Sequence, residues 1–134
     1  MAQVGKRQVL LVDDHDGVRT ELRRVLDSCL DVEVVGEAAD GLQALAAIER
    51  LQPDVVIMDI HMPHLNGIDA TSRIKRCWPN TIVIGISSDP APHIHHALKL
   101  SGAAILIPKE DAPEKLYRAI TDLCPRPSHP NPDV

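Results

Sequence analysis

Five short runs of β-branched residues, spaced by stretches of helical periodicity, constrain this chain more than any other feature it has. The runs are QVLLV (8–12), VEVVGEA (32–38), DVVIM (54–58), TIVIGI (81–86) and AAILI (103–107). Several are almost continuously apolar, as strands covered on both faces must be. Between the runs, Val18, Leu22, Val25 and Leu26 form one helical stripe, with Arg19, Glu21, Arg23 and Arg24 off it. Leu116, Ala119, Ile120 and Leu123 form another. Asp40 is placed to cap GLQALAAIERL, Pro53 closes that segment, and Pro113 suits the first turn of the last helix. Strand and helix alternating five times predict an α/β fold: a parallel sheet with helices on both faces.

A length of 134 residues fits one such domain. After Cys124 the chain reads PRPSHPNPDV, which cannot continue a helix. We expect residues 7–124 to form the domain, 1–6 a flexible N-terminus and 125–134 a linker or tail. A net charge of -5 and the lack of a basic stripe speak against direct nucleic-acid binding. One Trp, one Tyr and no Phe leave no platform for stacking bases. No apolar run is long enough to span a bilayer, and MAQVGKRQ has no signal-peptide character, so no membrane association is expected. Cys29, Cys77 and Cys124 are an odd number and far apart, neither a disulfide framework nor a zinc spacing, which points to a cytoplasmic location. HIHH (93–96) puts His93 and His96 on one helix face with no carboxylate or cysteine at ligand spacing, the pattern of a solvated helix start. Trp78 is expected to end the third helix and cover core.

In an open parallel sheet, ligand sites gather outside the carboxyl ends of the strands. The first strand ends at Asp13 and Asp14, the third at Asp59, the fourth at Ser87 and Ser88, and the fifth at Lys109. Carboxylates brought within ~4 Å repel by roughly 4 kcal/mol at an effective dielectric of ~20, so something must offset them. An oxygen-rich rim of this kind suits Mg²⁺, which binds through one or two carboxylates plus a phosphate. A carboxylate is also a nucleophile toward phosphorus, and a lysine and a hydroxyl can hold the transferring oxygens.

LLVDDH, DVVIMDIHMPHLNGIDA, VIGISS and ILIPK, in this order, resemble the acid-pair, phosphoacceptor, hydroxyl and lysine motifs of the response-regulator receiver domains of two-component signalling. VVGEAADGLQAL and MDIHMPHLNGIDATSRIK particularly resemble the receivers of nitrate-regulator, LuxR-type transcription factors. The resemblance implies a flavodoxin-like (CheY-like) sheet of order 2-1-3-4-5 with five helices. It implies that Asp59 is the phosphoacceptor, and that Mg²⁺ is bound by Asp13, Asp14, Asp59 and the backbone carbonyl of His61. Ser87 would hydrogen-bond the phosphoryl group and Lys109 form its ion pair. Small Ser88 would leave the acceptor accessible, and Gly67 would permit the tight loop after it. The implied partners are a histidine kinase or phosphotransfer protein, an output domain or partner protein, and a second copy upon phosphorylation.

Two positions depart from the family pattern. Leu106 stands where an aromatic switch residue is usual, and Pro108 precedes Lys109 instead of following it. The bond before Glu110 is therefore expected to be trans, and Pro108 requires the fifth strand to be a sheet edge. His61 and Asp89 flank the path of an attacking water and are candidates for tuning phosphate lifetime. Two other classes compete. One is a pseudo-receiver that signals without phosphorylation. The other is an Mg²⁺-dependent phosphohydrolase, which would need a second acid where His61 stands and a substrate cap. No turnover of an external substrate is expected.

Overall fold

The computed structural model describes residues 5–62, 64–88 and 91–125. Pro63, Asp89, Pro90, residues 1–4 and residues 126–134 lie outside them, so the expectations placed on those positions fall outside the description. In chain order the elements are β1 (Arg7–Val12), α1 (Asp16–Asp27), β2 (Val32–Ala38), α2 (Gly41–Leu51), β3 (Val55–Asp59) and α3 (Gly67–Cys77). There follow β4 (Ile82–Ser87), α4 (Pro92–Ser101), β5 (Ile105–Pro108), a 3₁₀ turn (Lys109–Asp111) and α5 (Ala112–Leu123). The sheet is parallel throughout, in the order β2-β1-β3-β4-β5, as the resemblance implies.

Successive strand residues point to opposite faces, and this divides the core in two. Val9 and Leu11 join Leu22, Leu26, Leu116 and Ile120 under α1 and α5. Leu10 and Val12 join Ala44, Ile48, Ala70 and Ile74 under α2 and α3, with Leu98 of α4 and the half-buried Trp78 at the end of α3. Both predicted helical stripes thus face one layer, with Leu22, Leu26, Leu116 and Ile120 fully buried.

The local signals act as their chemistry requires. Asp40 caps α2 by accepting from the Gln43 N–H at 2.8 Å, and Gln52 ends the helix in the left-handed region, one residue before Pro53. Pro113 lies in the first turn of α5. β5 is a sheet edge of four residues closed by Pro108, a short edge that offers little backbone for unwanted pairing. No peptide bond among the described residues is cis, which includes the one before Glu110.

At the amino ends of the strands, Arg7 makes a clamp. Its guanidinium donates to the Cys124 carbonyl, to Asp31 Oδ2 at 2.8 Å and to the Pro125 carbonyl at 2.8 Å. Tyr117 of α5 donates its hydroxyl to the same Asp31 carboxylate at 3.0 Å. The start of β1 and the chain leaving α5 are tied together at this corner.

Candidate functional site

The opposite end of the sheet gathers the predicted polar residues. Asp59 is the last residue of β3 and its side chain is only 2% exposed. Asp13 and Asp14 follow directly on β1, with Asp13 buried and Asp14 half-buried. Ser87 ends β4 and is buried beside Pro108 of β5, while Ser88 is exposed. Lys109 opens the 3₁₀ turn after β5.

The parallel register brings these ends together. Met58 of β3 lies beside Val12 of β1, and Asp59 beside Ile86 of β4. Lys109 Nζ reaches Asp13 Oδ2 at 2.8 Å and Asp59 Oδ2 at 3.4 Å. Asp59 Oδ1 accepts from the His61 N–H at 3.3 Å. Asp13 Oδ1 accepts from the His15 N–H at 2.8 Å. The His15 ring folds back over the pair, with Nδ1 at 3.0 Å from Asp13 Oδ1 and 3.1 Å from Asp14 Oδ1. Arg19 of α1 donates to the Asp13 carbonyl from outside, and Glu37 of β2 holds Arg19 at 3.1 Å.

The loop between β3 and α3 is shaped by a close approach. A methyl group on Gly67 would stand 2.2 Å from the Asp59 carbonyl oxygen and 2.7 Å from Ile60 Cα. The sequence suggests glycine for its backbone freedom, yet Gly67 is not among the positive-φ residues; the requirement is space. Its N–H donates to the Ile60 carbonyl at 2.8 Å, and Asn66 caps α3 by accepting from the Asp69 N–H at 2.9 Å. β3 and α3 are therefore in backbone contact.

Burial and the charge of Asp13 raise the Asp59 carboxyl to about 6, against the opposing pull of Lys109 and the His61 N–H. Burial alone would lower Lys109. Its contacts with Asp13 and Asp59 outweigh that and raise it. Three carboxylates face one ammonium, so the rim carries an excess of negative charge. Asp13 Oδ2 and Asp14 Oδ1 are buried atoms without an aligned hydrogen bond; the first lies 2.8 Å from Lys109 Nζ and the second 3.1 Å from His15 Nδ1. Closely set carboxylate oxygens carrying more negative charge than one lysine offsets are the donor set that a hard divalent cation satisfies. One ligand atom each from Asp13, Asp14, His15 and Asp59 can be chosen so that all lie within 4.8 Å of one another.

Beside this rim, a cavity of about 420 Å³ is lined by Ser87, Ser88, His95, Leu106, Pro108, Lys109 and Glu110. Leu106 packs its half-buried side chain against the α2–α3 side of the core.

The family model of the response regulator receiver domain matches residues 9–121. The chain belongs to that family. Its relatives include the transcriptional regulatory protein YhcZ of Bacillus subtilis, 39% identical over 112 residues, which make up 83% of this chain and 52% of YhcZ. Among solved structures, the signal receiver domain of NarL from Mycobacterium tuberculosis superposes with a TM-score of 0.84 at 32% identity, covering 88% of this chain and 95% of that one. The CheX–CheY–BeF₃–Mg²⁺ complex of Borrelia burgdorferi gives 0.81 at 27% identity, with 87% of each chain covered. The chain spans about half the length of curated relatives such as YhcZ. No described helix is long and apolar enough to cross a membrane.

As a receiver domain, the chain brings Asp13, Asp14, Asp59 and Lys109 into one cluster, with Ser87 at the end of the adjoining strand. His61 donates its backbone N–H to Asp59, and its side chain is exposed. The sequence reading missed the His15 ring as a member of the cluster. Its place directly after the acid pair is the signal that could have shown it.

Proposed function

We propose that this receiver accepts a phosphoryl group on Asp59 from a histidine kinase, a phosphotransfer protein or a small phosphodonor, with Mg²⁺ held by Asp13, Asp14, Asp59 and the His61 carbonyl. The observation that carries the reading is the placement of a buried carboxylate between an acid pair and a lysine at the carboxyl end of the sheet. With its carboxyl raised only to about 6, Asp59 is largely ionised at neutral pH and available as a nucleophile. An Asp59 oxygen forms the new bond to phosphorus. The bond from phosphorus to the donor breaks, and its electron pair leaves with the donor group. Mg²⁺ supplies positive charge against the phosphoryl oxygens. Lys109 is within a side-chain movement of the same oxygens, Ser87 donates its hydroxyl to another, and exposed Ser88 leaves the approach open.

The domain acts as a stoichiometric switch with no external substrate. Phosphorylation biases a two-state equilibrium, and Leu106 beside the cavity repacks as Ser87 moves. Likeness to transcriptional regulators such as YhcZ supports an output in gene regulation, through an attached output domain or through self-association. Intact mass after incubation with acetyl phosphate tests the acceptor. A Mg²⁺-dependent gain of one phosphoryl group, absent in Asp59→Asn, is the expected result. A gain retained in Asp59→Asn moves the acceptor elsewhere. No gain, together with no beryllofluoride binding, favours the pseudo-receiver.

A further inference from the structure

We infer that the His15 imidazole is a metal ligand of this rim, so that the site discriminates in favour of nitrogen-accepting divalent ions of the first transition row. The inference rests on reading the rim as a divalent-cation site, and it adds a donor to the oxygen set named above. Three observations meet at one atom. His15 Nδ1 lies 3.0 Å from Asp13 Oδ1 and 3.1 Å from Asp14 Oδ1, placing it at nearly equal distance from both members of the acid pair. Asp14 Oδ1, which it faces, is one of the buried oxygens left without an aligned hydrogen bond. The same nitrogen belongs to the group of four potential ligand atoms within 4.8 Å of one another.

The chemistry follows from the donor set. Mg²⁺ and Ca²⁺ take oxygen ligands. Imidazole suits Ni²⁺, Zn²⁺ and Cu²⁺, and affinity rises along the row from Mn²⁺ towards Cu²⁺. In the metal-free protein Nδ1–H can donate to the carboxylates. To bind a cation, the neutral ring shifts to its Nε2–H tautomer, with Nδ1 giving up its proton to solvent and Nε2 taking one. The ring is 64% exposed, so solvent can serve that exchange and the side chain can adjust without disturbing the core. Lys109 Nζ stands 3.4 Å from Nδ1 and carries a like charge to any bound cation, but Asp13 engages it through the other oxygen, Oδ2. His15 precedes α1 and its side chain makes no capping bond there, so replacing it leaves the helix start intact.

The test titrates the intact chain, His15→Ala and Asp14→Asn with Mg²⁺ and with Ni²⁺ by calorimetry. Pulsed EPR of the Mn²⁺-loaded samples is recorded in parallel. The expected result is a loss of about tenfold or more in Ni²⁺ affinity for His15→Ala with Mg²⁺ affinity little changed. A ¹⁴N coupling to Mn²⁺ should be present in the parent and absent from both variants. Equal Ni²⁺ affinities in parent and His15→Ala, or a ¹⁴N coupling that survives His15→Ala, overturn the inference while leaving the oxygen site standing; the surviving coupling would point to the α4 histidines. Absence of binding by all three ions overturns the cation site itself and this inference with it.

Discussion

Lys109 lies 2.8 Å from Asp13 but 3.4 Å from Asp59, so the rim lysine is held first by Asp13 and only loosely by the central carboxylate. A lysine held this way need turn only a short distance to follow new negative charge on Asp59.

Removing that lysine leaves Asp13 buried with an uncompensated charge. Breaking a buried ion pair from one side costs ~3–5 kcal/mol, and partial access of water at the rim lowers this somewhat. We expect Lys109→Met to lose about 2–3 kcal/mol in urea unfolding without metal, on that same basis. Added Mg²⁺ should recover part of the loss. A melt unchanged from the parent would mean that the pair contributes nothing net.

Asp59 sets a pH dependence of opposite sign to that of an ordinary paired carboxylate. Its folded value of about 6 lies above the ordinary aspartate value of 3.8, so the unfolded chain ionises first as pH rises. Metal-free stability from this group is therefore greatest below pH ~4, falls between pH ~4 and ~6, and is level above, with a total on the order of 3 kcal/mol. Asp59→Asn should be the more stable protein at neutral pH, and the difference should close in acid. Chemical denaturation across this range, without metal, would show either that convergence or a constant gap.

Gly67→Ala is expected to destabilise by about 2–3 kcal/mol, because the added methyl meets backbone that cannot yield as a side chain would. The shift falls on Asp59 itself, so slower phosphorylation from acetyl phosphate should accompany the loss. Normal phosphorylation in a destabilised variant would separate the loop from the acceptor.

Leu106 lines the cavity together with Ser87 and Lys109, whereas Trp78 sits at the end of α3, away from the rim. Adding Mg²⁺ and beryllofluoride should leave the native tryptophan emission nearly unchanged. A Leu106→Trp variant, in which Trp78 is replaced by Leu, should respond. Response from Trp78 and silence at position 106 would place the conformational change at the far end of α3, in the same core layer but away from the cavity.

Most of the fold was legible because it rests on local signals. Apolar runs such as DVVIM and the Asp40 and Pro113 boundaries are properties of neighbouring residues, and the rule for parallel sheets converts strand ends into one rim. Asp13, Asp14, Asp59, Ser87 and Lys109 were found that way. Directions of side chains were not legible. Nothing in DDHD says that the His15 ring turns back over the acids, and nothing in ILIPK says that Lys109 prefers Asp13 to Asp59. Arg7 and Cys124 are separated by 117 positions, and no periodicity links them. Gly67 was singled out correctly, but crowding by the Asp59 carbonyl appears only once the backbone is folded.

The Arg7 clamp has a consequence for distance. Arg7 and Pro125 share one corner, at the end of β1 away from the acids, and β1 has six residues. At about 3.3 Å per residue, anything joined at that corner stands roughly 20 Å from Asp59, about two Debye lengths at ordinary salt, where charge is largely screened. A change of charge at Asp59 would therefore reach that corner through the packed sheet and helices more than through the solvent, against a joint that Arg7 ties at three points.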